Sequence, residues 1–170
     1  LSKLFEDPDR FKRKIAYDSL MALGEFSVPE LLDMLAAEKP AETRIRAANC
    51  LGDIGHHTGS AGLMDVIMNE KQRDVRKSAA SALAKIAKND AVFAPRALLI
   101  AFKDDDYSIR HIAADALCGL GKDVIPGIVK VARHQRIDIR ESAFYTLSMM
   151  GKDAVPALIG LMKEGDYDLQ

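Results

Sequence analysis

The chain has 170 residues, a length that suits one compact domain or a short stack of smaller units. Hydrophobic residues at 48% supply a continuous core and charged residues at 29% keep its surface wet, which excludes disorder as a description of the whole. The 24 Lys and Arg against 25 Asp and Glu leave a net charge of -1, so the totals give no push toward a polyanion and nucleic acid is not the expected partner. Cys50 and Cys118 fit neither a disulfide framework nor a paired zinc motif and suit a reducing compartment. Apolar runs such as Ala97 to Phe102 are far too short to span a bilayer, and the opening LSKLFEDPDR has no apolar signal core. The expected location is cytoplasmic, with no membrane insertion.

In chain order, the first element is incomplete. Leu1, Leu4 and Phe5 align with Leu98, Ala101 and Phe102 further on, so residues 1–6 read as the second helix of a flanking unit. A full unit follows over about 9–38. Arg13 is succeeded at three, seven and ten positions by Ala16, Leu20 and Leu23, the stripe of an amphipathic helix, and then by Gly24, which suits a left-handed C-cap. SVPELL from Ser27 starts a second helix, because proline is harmless in a first turn and Ser27 stands where a cap would.

The same sentence recurs. Over 41–70 it runs Arg44, Ala47, Leu51, Ile54 and Gly55, but HHTGSAG replaces the proline turn. Over 73–103 it runs Arg76, Ala79, Leu83 and Ile86, with Ala87 in the glycine's place and NDAVFAP delaying the proline by three residues. Over 106–134 come Arg110, Ala113, Leu117, Leu120 and Gly121, then IPGIV from Ile125 with Asp123 upstream as a cap. Over 136–164 come Arg140, Ala143, Leu147, Met150 and Gly151, then VPALI from Val155 with Asp153 upstream. DYDLQ from Asp166 resembles the DYSIR of Asp106, so 166–170 read as the start of another unit. The arginines stand 31, 32, 34 and 30 residues apart.

Neither helix of such a unit can bury its apolar face alone, so neighbours must cover one another. The expected fold is all-α: a right-handed two-layer α-solenoid of about five helix pairs in a single array. The phrases DVRKSAASAL from Asp74, DIRESAFYTL from Asp138 and GKDAVPALIGL from Gly151 resemble HEAT-like repeats of the phycobilin-lyase type, over essentially the full chain. No polar capping repeat is visible and there is no initiator Met, which points to a fragment of a longer array, with end-to-end association between chains as the rival.

Chemistry is sparse. Arg13, Arg44, Arg76, Arg110 and Arg140 read as a structural ladder, since Glu42, Asp74 and Asp138 lie two residues before their arginines at helix starts, and the resemblance implies bonds to neighbouring units. His56 and His57 diverge on a helix with no ligand at metal spacing, and His111 and His134 belong to other units, so no metal is expected. No HisGlu dipeptide occurs, which counts against the iron-dependent deoxyhypusine hydroxylases that use similar repeats. Cys50 and Cys118 stand in columns of small packing residues, and no nucleophile elbow, phosphate loop or calcium loop is present. No catalytic residue and no cofactor is expected.

What remains is the exposed strip of the second helices: Glu30, Asp33, Asp65, Arg96, Leu99, Lys130 and His134, with Phe102 beside Leu99 as an apolar contact. The strip leans acidic early and basic later, which suits a protein or peptide partner held on the concave face. The leading expectation is a non-enzymatic binding scaffold. One alternative, implied by the resemblance, is a bilin lyase-like or other enzyme-accessory subunit. A second is a nucleic-acid-binding module like the alkylpurine DNA glycosylases, for which Arg133, Arg136 and Arg140, with Arg110 and His111, form a local basic cluster.

Overall fold

The computed structural model describes the backbone of residues 1–167 and the side chains of residues 1–164, so the segment 166–170 falls largely outside it. Every regular element among these residues is a helix. The chain divides into two compact units, Leu1–Ala97 and Leu98–Gln170. The first holds α1 (Ser2–Phe5), α2 (Arg10–Leu23), α3 (Val28–Asp33), α4 (Ala41–Ile54), α5 (Ser60–Asn69) and α6 (Arg73–Ile86). Helix α7 (Phe93–Ala101) carries the chain across the division, and α8 (Tyr107–Gly119), α9 (Ile125–Val131), α10 (Ile137–Met149) and α11 (Val155–Tyr167) make up the second unit. Within a unit, first helices pack on first helices (α2 on α4, α4 on α6; α8 on α10), while α9 packs on α11.

The buried columns explain this order. Ala16, Ala47, Ala79, Ala113 and Ala143 are wholly inaccessible, and Leu20, Leu51, Leu83, Leu117 and Leu147 are nearly so. The alanines let helix axes approach, and the leucines fill the space beneath them. Burying one leucine side chain contributes about 1.5–3 kcal/mol. The column ten residues after each arginine behaves differently: Ile86 is buried, but Leu23 at the last position of its helix is 48% exposed.

Turns within the pairs depart from the expected caps. Single 3₁₀ turns at Gly24–Ser27, His57–Gly59, Lys122–Val124 and Gly151–Ala154 run straight into the second helices. Since Ser27 and Val124 already have helical dihedrals, the second helix continues a turn in progress and needs no side-chain cap. Ser27 Oγ instead donates to the carbonyls of Leu20 (3.0 Å) and Gly24 (2.7 Å), and Asp123 and Asp153 lie exposed within their turns. Gly24, Gly55, Gly121 and Gly151 enter these turns with φ between +55° and +79°, a region that strains any residue with a Cβ. HHTGSAG makes the same turn without proline.

Ala87 has φ -56°, so its helix ends without the left-handed residue and the link runs on to Asp90. There a true cap forms. The Asp90 carboxylate accepts from the amides of Val92 (2.9 Å), Phe93 (2.9 Å) and Ala94 (3.1 Å), which sets the later start of α7 and leaves Pro95 in its first turn. Burial pushes the Asp90 carboxyl up, and its hydrogen bonds, these amides among them, outweigh that and hold it below 3.8.

Helices α4 and α6 approach closely at Gly52. A Cβ there would sit 2.7 Å from Ala82 Cα and 2.9 Å from Ala82 Cβ, so α4 and α6 touch through backbone. Gly52→Ala is expected to destabilise the protein by about 1–3 kcal/mol by overpacking, although alanine favours helix. Gly119→Ala, with nothing within 4 Å of the new Cβ, is expected to stabilise by up to about 1 kcal/mol. Urea unfolding of the two variants side by side checks both signs. Asp90→Ala is expected to cost about 1–2 kcal/mol as a lost cap. Because the folded carboxyl titrates below its ordinary value, its contribution is complete above pH 3.8 and disappears as pH falls through the folded pKa. The variant should therefore lose stability at neutral pH while converging on the parent in acid, as followed by denaturant unfolding from pH 7 to pH 2.

Candidate functional site

The ladder arginines have a common geometry. Each of four sends Nη1 back to the carbonyls six and five residues earlier. Arg13 reaches Asp7 (2.8 Å) and Pro8 (2.6 Å), and Arg76 reaches Glu70 (3.1 Å) and Lys71 (3.0 Å). Arg110 reaches Asp104 (2.8 Å) and Asp105 (2.9 Å), and Arg140 reaches His134 (2.9 Å) and Gln135 (2.8 Å). Arg44 differs: buried itself, it pairs with the Glu70 carboxylate. Arg110 adds Asp138 Oδ2 at 3.2 Å. The cluster read as basic is likewise engaged. Arg133 forms a two-pronged pair with Glu164 (2.8 and 2.7 Å), and Arg136 bonds Asp138 (2.8 and 3.2 Å) and Asp105.

On the second helices, Asp33, Asp65, Arg96 and Lys130 are exposed. Glu30 is half-buried and accepts from the Ser2 amide at 3.0 Å, while His134 Nδ1 accepts from the Arg136 amide at 3.2 Å. The apolar centre of the strip is corrected by the structure. Phe102 is 0% exposed: its amide closes on the Leu98 carbonyl at 2.8 Å and its ring lies in the core, not on the exposed strip. Leu99 is half-buried over Gly127, where an added Cβ would meet its Cδ1 at 2.4 Å. Leu32 lies over Gly62 in the same way, at 2.4 Å. These leucines serve internal packing between second helices. In the first unit the strip still forms a groove of about 250 Å³ between α3 and α5, walled by Leu32, Leu35 and Gly62 with Asp65 and Asn69 at its edge. Asn69 Nδ2 donates to Asp65 Oδ1 at 2.7 Å and holds that carboxylate in place.

A larger groove, about 620 Å³, lies between α8 and α10 in the second unit. Its rim carries Tyr107 (67% exposed), Tyr145 (66%) and Met149 (64%). The cause is visible by comparison with α4 and α6. The columns that bring Gly52 against Ala82 there bring Cys118 toward Thr146 here, with Cys118 Sγ donating to the Thr146 carbonyl at 3.8 Å. Larger side chains at the crossing hold the two helices further apart. The sequence carried a signal for this site. Five residues after the ladder arginines the chain has Asp18, Asn49, Ser81 and Asp115, then Tyr145; nine after, it has Ala22, Asp53, Lys85 and Gly119, then Met149.

Reactive chemistry is muted among the cysteines and histidines. Burial, aided by Asp53, pushes the Cys50 thiol up to about 12, and burial with Asp115 pushes Cys118 up as well, so both remain neutral thiols. His56 Nε2 meets Glu25 Oε2 at 2.9 Å, and its ring lies 4.4 Å from that of His57. Among the described residues no three His, Cys, Asp or Glu side chains cluster as metal ligands, and no helix is long and apolar enough to cross a membrane.

A family model described as HEAT repeats matches residues 28–94 and 94–170. No curated protein matches the chain. Among solved structures, the chain is similar to one from the complex of CpcE and CpcF of phycocyanin lyase from Nostoc sp., with 22% identity and a TM-score of 0.61 over 85% of this chain and 94% of that one. It is also similar to an engineered protein (19% identity, TM-score 0.59, 94% of this chain and 82% of that one). The YibA protein of E. coli matches with 19% identity and a TM-score of 0.59, over 94% of this chain and 62% of that one. At these identities the structural likeness speaks for the fold. With the repeat model spanning residues 28–170, the chain belongs to the HEAT-repeat family.

Proposed function

We propose that the chain is a non-enzymatic scaffold that binds a protein partner along its second helices. The observation that carries this reading is the α3–α5 groove, apolar along its walls and edged by the exposed, positioned Asp65. In the second unit, exposed Lys130 on α9 and half-buried His134 just beyond it offer polar contacts of their own. Grooves with apolar walls and charged edges suit protein recognition, in which burial supplies affinity and charge supplies register. The similar phycocyanin lyase chain comes from a complex of two subunits, which supports a protein as the partner. The same likeness supports a second reading, an accessory role in tetrapyrrole attachment, and a visible absorbance shift on incubation with a bilin separates the two.

The scaffold reading is tested by comparing the proteins retained from a lysate by the parent chain, by Asp65→Lys and by Lys130→Glu. All three should melt alike, because exposed substitutions cost within about 0.5 kcal/mol. A true partner is retained about 5–10-fold less by a charge-reversed variant, and the loss shrinks as salt is raised. Retention that is identical across all three removes the second-helix layer as the binding surface.

A further inference from the structure

The α8–α10 groove lies on first helices, apart from the exposed residues of the second-helix strip, with the ladder residue Arg110 and the buried Phe102 in its lining. On α8 its lining follows Tyr107, His111, Asp115 and Cys118; on α10 it follows Asp138, Glu141, Tyr145 and Met149. Each set is one helical stripe, because residues three and four apart share a face. From Tyr107 to Cys118 the groove runs roughly 16 Å at 1.5 Å per residue, about three helical turns.

Its walls pair aromatic and thioether surface with negative charge. Tyr107, Tyr145 and Met149 are each about two-thirds exposed and line this one groove together. The lining cation Arg110 is already occupied: it is buried, bonded to two carbonyls and 3.2 Å from Asp138. Its guanidinium also stands 5.8 Å from the Tyr107 ring centroid. Of the remaining carboxylates, Asp115 is met by His111 at 3.4 Å, and exposed Glu141 has no bonded partner among the described residues. The groove is therefore anionic with aromatic faces, which repels phosphates and attracts ammonium or guanidinium groups lying on tyrosine rings.

We infer that this groove is a docking site for a basic amphipathic helix of a partner protein, about three turns long. Its apolar face lies on Tyr107, Tyr145 and Met149, and its Lys or Arg residues pair with Asp115 and Glu141. An unbranched thioether and two rigid rings adapt to such a face at low entropic cost. The site is independent of the second-helix strip, so either surface can fail without the other.

The test uses a fluorescein-labelled helical peptide of about twelve residues, with Leu on one face and Lys and Arg along its flanks. Two controls accompany it: one with Glu for every Lys and Arg, one with the Leu positions scrambled. Fluorescence anisotropy against the full chain is expected to give a dissociation constant of roughly 1–50 µM for the basic peptide, and at least about ten-fold weaker binding for both controls. Tyr145→Ala and Glu141→Lys should each weaken the basic peptide about ten-fold or more, with unchanged thermal melts, while Asp65→Lys on the strip should leave it unaltered. Equal binding of the acidic peptide, binding that survives both groove variants, or no binding of the basic peptide overturns the assignment. So does a homodimer that dissociates in Tyr145→Ala, which would give the groove to a second copy of this chain.

Discussion

No helix of this protein can shelter its own apolar stripe. The buried alanine in each first helix is inaccessible only because another helix lies against it, and the leucine one turn later fills the space that the approach creates. Everything else follows from satisfying that requirement repeatedly. Links must be short, and each turn must bring the second helix back against its neighbours. The 3₁₀ turns and their positive-φ glycines do this by making the second helix a continuation of the first turn instead of a fresh start.

That economy also explains where binding surface arises. An alanine facing a glycine, as at Ala82 and Gly52, lets two backbones touch and leaves nothing between them. Cysteine facing threonine, as at Cys118 and Thr146, keeps the helices apart and opens a groove at the same place in the repeat. Surface variety thus comes from small volume changes at one crossing while the frame is retained. Among the second helices of each unit the same principle works in reverse. Leu32 and Leu99 close over Gly62 and Gly127, so residues that a solvated face would present are drawn into the packing.

Much of the fold was legible in the chain because its information is periodic. Columns of Arg, Ala and Leu at fixed offsets declare first helices, and proline after a glycine turn declares second ones. Less was legible where a neighbour decides the outcome. Phe102 has the composition of a contact residue, yet its burial depends on the helices around it, which periodicity within a single unit cannot weigh. Ser27, Asp123 and Asp153 have the right chemistry for caps, but a turn that is already helical leaves a cap no role. The α8–α10 groove was written as a break in pattern, tyrosine and methionine in columns that elsewhere hold polar or small residues, and such breaks are easily lost among intact columns.

The arginine bonds carry one more implication. Four of the five arginines grip main-chain carbonyls, and a carbonyl is present whatever residue bears it. The connecting segments can thus change their letters, as NEKQRD and KDDDYS differ within this one chain, without loosening the fastening between link and helix. Glu70 shows both arrangements at once: its carbonyl serves Arg76 irrespective of side chain, whereas its carboxylate serves the buried Arg44 and permits no such drift. The same limit holds where a connector side chain itself makes a bond, as Asp104 does to the Asp106 amide and Asp106 to the Ser108 amide.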